Sequence, residues 1–351
     1  GCRFCQAGMI CRPNREKDVE RLKELARSMI AATGHEEISL SSLSSSDYSQ
    51  LEELITFLID ECGKKKINIS LPSLRIDAFS LDIMQKVQDI KKSSLTFAPE
   101  AGSQRLRNVI NKGLTIDNIL DGSKQAFEGG WNKVKLYFML GLPTETEEDM
   151  RAIPELANEI AALYYDTVPK EKRNGKCQIT ISTSFFVPKP FTPFQWATML
   201  DPGDYLGRAK IVNDHVKEQL NHKSIRYNWH EADVTVLEGV LARGDRKLSD
   251  AIEYVYTHGG LFDAWSDFFN YDLWLEAFAA CDIDIDFYTK RVRSDDEIFP
   301  WDFIDVGVTR EFLLREWKTA LTETVTPNCR MRCSGCGARQ YGGGVCFEDK
   351  N

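Results

Sequence analysis

The first 200 residues alternate between short apolar runs and longer stretches whose apolar residues recur at helical spacing. β-Branched and alternating runs predict five strands, at 37–43, 67–71, 94–98, 134–140 and 178–187. Apolar residues three and four positions apart predict helices around them, at 15–33, 51–62, 81–90, 103–110, 116–127 and 147–163. In the last of these, Thr144 and Glu147 have the spacing of a capping box.

Each predicted strand except the fifth is followed by a helix. Repeated strand–helix units predict an α/β fold with a parallel sheet. The alternation alone fits a full barrel, a partial barrel or an open doubly wound sheet. In all three, ligands bind at the carboxyl ends of the strands.

The pattern changes after residue 200. One more helix is predicted at 205–220, and residues 222–326 are rich in Trp, Phe and acidic residues. Helical stretches are predicted in that part at 233–242, 247–257 and 309–322. The chain is therefore expected to divide into a strand–helix domain (1–200), a mostly helical extension (201–326) and a Cys-rich tail (327–351).

Composition limits the class of protein. Hydrophobic residues make up 42% of the chain and charged residues 28%, which is typical of a globular protein. The net charge of −9 weighs against RNA or another polyanion as partner, although a local basic groove would reopen that possibility. No apolar run is long enough to span a membrane, so we expect no membrane partner and a cytoplasmic location.

Most of the ten cysteines lie near the two ends of the chain, which predicts metal sites more than disulfides. At the front, Cys2 and Cys5 form a C-x-x-C motif, which by itself fits a zinc site, a redox pair or cluster ligands. At the back, Cys329, Cys333, Cys336 and Cys346 have a four-ligand spacing that fits a metal knuckle, with glycines 342–344 allowing the chain to return. Structural zinc and an auxiliary iron–sulfur cluster fit these four thiols equally well.

Residues 1–15 resemble the cluster loop of radical S-adenosylmethionine (SAM) enzymes, whose pattern is C-x-x-x-C-x-φ-C with an aromatic φ. Cys2 and Cys5 would be the second and third ligands, and the first is expected upstream of Gly1, in a longer protein. The resemblance implies a (β/α)6 partial barrel of the TIM type whose first strand is missing. It also implies a [4Fe–4S] cluster that cleaves SAM reductively, giving a 5′-deoxyadenosyl radical that abstracts hydrogen from an unidentified substrate. A reductant such as flavodoxin or ferredoxin is then expected.

The same resemblance assigns cosubstrate contacts to turns that follow predicted strands. Glu100 lies in a segment, 98–103, similar to the fourth-strand segment of the family; an acidic first turn of a helix is the alternative. Gly141 and Pro143 belong to 141–146, which resembles the G-x-P-x-E-T segment of radical enzymes that act on nucleic acid; a capped turn is the alternative. Residues 186–193 are similar to the last strand and exit loop of the same enzymes.

Two further turns depart from the family pattern. Serines 41, 42 and 44 stand where many radical SAM enzymes carry a Gly-Gly-Glu-like element, so Ser41, Ser42 and Ser44 would have to replace it; a helix capped by Asp47 is the alternative. Arg75 follows the next predicted strand and could meet the cosubstrate carboxylate, or form a surface or internal ion pair.

The resemblance extends into the C-terminal half. Residues 237–246, 262–265, 299–307 and 312–316 are similar to the tail of a cobalamin-type radical SAM family, which implies a cobalamin-binding domain in a longer protein. Cys11 stands where that family has an aromatic residue, and we interpret it as a bystander. Two rival functions remain: a methylthio- or methyltransferase acting on tRNA, and a non-catalytic iron–sulfur or zinc module that binds RNA or protein.

Overall fold

The computed structural model describes residues 1–42, 45–70 and 95–342. The strands of this part of the chain all pair in parallel. They form a two-stranded sheet, β1–β2, and a four-stranded sheet in the order β3–β4–β5–β6. The strands are β1 (Glu37–Ser39), β2 (Asn68–Ser70), β3 (Leu95–Glu100), β4 (Lys133–Leu140), β5 (Gln178–Phe185) and β6 (Ile225–Trp229).

Helices connect the strands and build the C-terminal extension. In the first half these are α1 (Ala7–Ile10), α2 (Val19–Ala32), α3 (Leu51–Gly63), α4 (Gln104–Val109), α5 (Ile116–Glu128) and α6 (Glu147–Thr167). The second half contains α7 (Pro202–Glu218), α8 (Ala232–Arg243), α9 (Leu248–Thr257), α10 (Tyr271–Ala280), α11 (Ile285–Thr289) and α12 (Arg310–Leu321). None of the helices in the described ranges is long and apolar enough to cross a membrane.

The four-stranded sheet has one apolar and one polar face. In β4, Val134, Leu136, Phe138 and Leu140 are buried against the helix layer that contains α6 and α7. The alternate residues Lys135 and Tyr137 are more exposed, as expected for a strand with one face in the core. This period-two burial sets the register, because a shift by one residue would turn the apolar side chains away from the helices.

The five strands and most of the helices predicted from periodicity are confirmed, and the parallel pairing establishes the α/β class. Two details differ. Helix α6 begins after Thr146, whose backbone N–H donates to Asp149 Oδ2 at 2.8 Å, so the capping box does not involve Thr144 and Glu147. Strand β6 was not predicted, because its sequence has exposed Arg226 and Asn228 and only a short apolar component. The predicted helix 81–90 lies outside the described residues.

The sheet continues beyond residue 200. Tyr205, Val212 and Val216 of α7 and Ile225 of β6 belong to the same apolar core as β3, β4 and β5. The helices α8 to α11 have a second core, which includes Val240, Trp274 and Phe278. The division into 1–200, 201–326 and 327–351 stays a prediction, although α7 and β6 join the sheet that precedes them.

Gly102 allows the turn after β3 to lie directly on helix α6. A Cβ atom at this position would lie 2.5 Å from the backbone nitrogen of Ile153 and 2.8 Å from the carbonyl oxygen of Asp149. Backbone atoms of a helix cannot give way as a flexible side chain can. Only glycine therefore fits this contact between the β3–α4 turn and the helix after β4.

We predict that Gly102→Ala lowers the free energy of unfolding by about 1–3 kcal/mol, because the added methyl group must displace helix α6. Gly207→Ala is the matched control, since a Cβ at Gly207 in α7 meets nothing within 4 Å. That substitution should leave stability unchanged or raise it by about 0.5–1 kcal/mol. Chemical denaturation of both variants measures the difference, and equal effects would contradict the close packing.

Candidate functional site

The two front cysteines lie on a short loop, residues 1–11, here called the cysteine loop. Cys2 and Cys5 are half-buried free thiols, whereas Cys11 is exposed. The backbone N–H of Gly8 points at the sulfur of Cys5, with an N–Sγ distance of 3.4 Å. Soft thiolates with backbone N–H donors to sulfur are suited to iron–sulfur clusters. The pair therefore fits part of such a ligand set.

Arg3, between these two cysteines, is completely buried. Its Nε donates to Glu316 Oε2 at 3.0 Å, an ion pair in which the carboxylate is also almost fully buried. Thr326 Oγ1 lies 2.9 Å from both carboxylate oxygens of Glu316. The other guanidinium nitrogens donate to Asn108 O, Val109 O, Thr324 O and Thr326 Oγ1. Arg3 thus joins the cysteine loop to α4 and to the residues that follow α12.

The aromatic residue of the motif places the loop against the sheet. Phe4 packs on an apolar cluster that includes Ala101, Leu142 and Phe186, which lie one or two residues after the ends of β3, β4 and β5. The Gln6 side chain donates to Pro190 O at 3.2 Å, in the segment that follows β5. The cysteine loop therefore lies at the carboxyl edge of the four-stranded sheet, where ligands of parallel sheets bind.

Glu100 ends β3 at this edge. The strand has an irregular register between Phe97 and Glu100, and Glu100 has a φ of 69°. Its side chain is 17% exposed and forms an ion pair with Lys112 Nζ at 3.2 Å. Burial raises the pKa of Glu100, while Lys112 opposes the rise. The carboxyl group is thus aimed into the protein at the strand end, with one cationic partner.

The turn after β4 is held by a buried carboxyl group. Gly141 has a φ of 83°, and a Cβ there would lie 2.6 Å from the Tyr205 ring. Glu145 Oε2 accepts from the Gly141 N–H at 2.8 Å and from Arg208 Nη1 at 2.9 Å. The Glu145 side chain is only 2% exposed. Burial raises its pKa to about 7, although both hydrogen bonds favour the carboxylate.

The same turn is tied to the turn after β3. Arg105 donates to Thr144 O at 2.7 Å and forms an ion pair with Asp149, whose carboxylate also accepts from Ser103. Pro143 is half-buried and precedes Thr144, which has a φ of 64°. The two turns that carry Glu100, Gly141 and Pro143 therefore form one connected edge.

The serines after β1 are less constrained. Ser41 and Ser42 are exposed, and Ser42 has an interaction partner. Asp47 lies in the short 3₁₀ turn Ser45–Asp47, and helix α3 begins after Gln50, so the expected helix capped by Asp47 is wrong. The Ser45 hydroxyl instead donates to Leu40 O at 2.9 Å. Ser44 and Arg75 lie outside the described residues.

The polar face of the sheet was not anticipated as a site. Tyr137 of β4 pairs with Ser182 of β5, which in turn pairs with Asn228 of β6. Side chains of paired residues in a parallel sheet project from the same face. The Lys135 ammonium group lies 4.5 Å from the Tyr137 ring centroid, on this face. This row of hydroxyl and amide groups therefore crosses three neighbouring strands on one face of the sheet, with the Lys135 ammonium group beside it.

The back cysteines are in different environments. Cys336 is 6% exposed and belongs to an apolar cluster with Met9 and Phe312, Cys329 is half-buried, and Cys333 is exposed. Cys346 lies outside the described residues. Within the described ranges no three Cys, His, Asp or Glu side chains come together as they would around a metal ion. The proposed four-thiol site therefore stays a prediction.

Sequence reasoning missed Arg3, Glu145 and the Arg105–Asp149 pair. Arg3 occupies a variable x position of C-x-x-C, and its partners are more than 100 residues away. Glu145 lies in the 141–146 segment, where its position four residues after Gly141 was an available signal. The buried Arg107, which donates to Ala101 O and Gly102 O, was likewise unpredictable from local sequence.

The structure thus places a C-x-x-C loop at the carboxyl edge of a parallel sheet. Comparison with known proteins shows which family this part of the chain resembles. Residues 1–157 match the family model described as Radical SAM superfamily, so this part of the chain resembles that superfamily. The chain is 34% identical over 253 residues to an uncharacterized protein of Methanocaldococcus jannaschii, covering 72% of this chain and 51% of that protein.

Two other similarities are more distant. The chain is 28% identical over 157 residues to a putative methylthiotransferase of the same organism, covering 42% of this chain and 34% of that protein. The crystal structure of Streptococcus suis SuiB bound to the precursor peptide SuiA is similar with a TM-score of 0.43 and 13% identity, covering 68% of this chain and 48% of that one. The chain thus spans half or less of the length of these relatives.

We predict that Glu316→Ala lowers the free energy of unfolding by about 3–5 kcal/mol, because it leaves the Arg3 charge buried without a carboxylate. Glu316→Gln keeps the hydrogen bonds and should cost less. The control is Glu24→Ala, which removes the partner of exposed Arg21 and should cost no more than about 1 kcal/mol. Equal losses in Glu316→Ala and Glu24→Ala, measured by denaturant titration, would show that the buried pair does not hold the cysteine loop.

Glu145 should make stability depend on pH. Its pKa rises from 4.5 in the unfolded chain to about 7 in the fold, so the folded state binds the proton more tightly and loses stability as pH rises through that range. We expect the free energy of unfolding of the parent to fall relative to Glu145→Gln by about 2–3 kcal/mol between pH 5 and pH 8.

Denaturant titration at a series of pH values measures this difference. Glu148→Gln is the control, because the pKa of exposed Glu148 is lowered by a backbone N–H and by Thr146, so its titration falls below this window. Parallel pH profiles for the parent and Glu145→Gln would contradict the raised pKa.

Proposed function

We propose that this protein is a radical SAM enzyme that cleaves SAM reductively at a [4Fe–4S] cluster to produce a 5′-deoxyadenosyl radical. The observation that carries the proposal is the position of the cysteine loop. Cys2 and Cys5 lie beside the carboxyl ends of β3, β4 and β5, and the same residues match the family model. When bound, the cluster would supply the electron for sulfonium cleavage and an open iron that chelates the methionine group.

The chain's own residues would bind and orient the reactants. Cys2 and Cys5 would hold two irons, with the third thiolate contributed from upstream of Gly1. Glu100 is suited to accept from ribose hydroxyls or an ammonium group, because its carboxylate lies at the strand end, where Lys112 is its cationic partner among the described residues. The turn of Gly141 and Pro143 would form the wall of the cosubstrate cleft, and Ser41, Ser42, Ser44 and Arg75 are further proposed contacts.

The substrate would lie on the polar face of the sheet. Tyr137, Ser182 and Asn228 offer donors and acceptors there, at the side of the strands that faces away from the helix layer. The edge formed by the two tied turns would exclude water from one side of the cleft. We propose that the described strands belong to a (β/α)6 partial barrel in the whole protein. Such a barrel would enclose this polar face.

Partners follow from this chemistry. Reduction of a cluster needs an electron donor such as flavodoxin or ferredoxin. Reduced thiols and an oxygen-sensitive cluster are suited to the cytoplasm. Use of cobalamin, held by another domain, rests on the sequence resemblance alone.

A second candidate is a methylthio- or methyltransferase that acts on tRNA. The similarity to a putative methylthiotransferase favours it. The net charge of −9 weighs against RNA binding by this part of the protein. A domain outside this chain would then have to bind the RNA.

The back cysteines are proposed to hold a second metal, as structural zinc or an auxiliary iron–sulfur cluster. Four thiolates leave no open position, so the site would support the fold or conduct electrons. The proposal rests on the spacing of Cys329, Cys333, Cys336 and Cys346. The buried position of Cys336 would require a shift in its apolar surroundings before it could bind a metal.

To test the main proposal, residues 1–351 and a version extended upstream are reconstituted anaerobically with iron and sulfide. Dithionite and SAM are added, and 5′-deoxyadenosine is measured by chromatography. We expect its formation by the extended protein and negligible formation by residues 1–351, because two thiolates hold a cluster poorly.

Two cysteine variants of the extended protein make the test specific. Cys5→Ser should abolish 5′-deoxyadenosine formation, whereas Cys11→Ser, six positions away on an exposed thiol, should retain it. If the extended protein binds iron and never cleaves SAM, the proposed function is wrong. If Cys11→Ser also abolishes cleavage, the ligand assignment is wrong.

A further inference from the structure

The net negative charge of this protein is concentrated in one segment. Residues 248–289 contain no Lys or Arg and nine acidic residues, namely Asp250, Glu253, Asp263, Asp267, Asp272, Glu276, Asp282, Asp284 and Asp286. The rest of the chain has 44 basic and 44 acidic residues. The whole net charge of −9 therefore comes from this segment, which contains helices α9, α10 and α11.

Large apolar side chains are exposed in the middle of the same segment. In the loop between α9 and α10, Phe262 is 63% exposed, and Trp265 and Phe268 are each 60% exposed. The Phe262 ring lies 5.8 Å from Trp265 and 6.0 Å from Phe268, centroid to centroid, in edge-to-face geometry. Together with half-exposed Leu261 they form one patch, here called the aromatic patch. A contiguous apolar patch with a polar border marks an interaction surface.

The patch is held in a defined conformation. Asp263 accepts from the Trp274 indole N–H at 3.1 Å, which ties the loop to α10. The backbone N–H of Trp265 donates to Phe262 O at 3.0 Å, and that of Phe268 donates to Trp265 O at 2.9 Å. Phe262 has a φ of 63°, a conformation that bulky residues rarely adopt. The loop therefore accepts backbone strain while its aromatic rings stay in solvent, which packing among the residues that the structure describes does not explain.

Charge determines which partner fits. RNA, an anionic membrane or the same face of a second copy of this chain would each bring negative charge to this acidic face. A cationic polypeptide would bring positive charge instead. Its Arg and Lys side chains would pair with the carboxylates and also bind the aromatic faces through cation–π interactions. We propose that the aromatic patch and its acidic border form a docking site for a polypeptide segment rich in Arg or Lys with apolar residues between them. This site is distinct from the cysteine loop and does not depend on the proposed function.

The test measures binding of a short fluorescein-labelled peptide of alternating Arg and Leu to residues 1–351, by fluorescence anisotropy at physiological ionic strength. We expect Trp265→Ser to weaken binding by at least about tenfold, as for a central interface tryptophan. Phe303→Ser is the matched control, because Phe303 is 85% exposed but lies outside the segment, and it should leave binding unchanged. Both residues are exposed, so both variants should fold, which circular dichroism checks.

The charge requirement is tested separately. The double variant Asp267→Asn, Asp272→Asn should weaken binding several-fold, and a peptide of alternating Glu and Leu should not bind. The proposal is overturned if Trp265→Ser binds the basic peptide as the parent does, or if the acidic peptide binds equally well. It is also overturned if a single-stranded RNA displaces the basic peptide from the patch, or if the parent dimerises in sedimentation experiments and Trp265→Ser does not.

Discussion

The buried guanidinium of Arg3 is the interaction on which the candidate site depends. It lies between the two cysteines and reaches both the C-terminal end of α4 and the residues after α12. A buried cation is costly unless hydrogen bonds and a counter-charge surround it, and here Glu316 and backbone carbonyls provide both. The C-terminal extension is therefore part of the structure that fixes the cysteine loop, not a separate addition to it.

The edge of the sheet is built in a similar way from contacts between neighbouring turns. Gly102 allows the β3 turn to touch helix α6, and Arg105 joins that turn to Asp149 at the start of the helix. Glu145 closes the β4 turn from within, through the Gly141 N–H and Arg208. Buried polar groups with complete hydrogen bonding make such turns rigid. A rigid edge is the condition for holding a small cosubstrate in one orientation.

The C-terminal half combines two tasks. Its last helix supplies Glu316 to the cysteine loop, while α9 and α10 display a charged, aromatic surface on another part of the chain. The segregation of the whole net charge into 42 residues is consistent with selection for recognition more than for folding.

Hydrophobic periodicity determined the parallel α/β class and the positions of five strands, and cysteine spacing determined the front motif, because these are properties of residues close together in the chain. It did not determine β6, whose alternate residues are polar and exposed and whose strand forms by pairing with β5. It could not identify Arg3 as buried, since an arginine is ordinarily a surface residue and the burial of Arg3 depends on carbonyl groups brought from distant segments. Glu145 shows the same limit: burial raises its pKa, and its cationic partner Arg208, which opposes that rise, lies 63 residues later in the chain. The sequence by itself determined which chemical groups and which layers the protein has. Only the tertiary structure decided which of those groups share a low-dielectric interior, because burial and counter-charge arise from long-range packing.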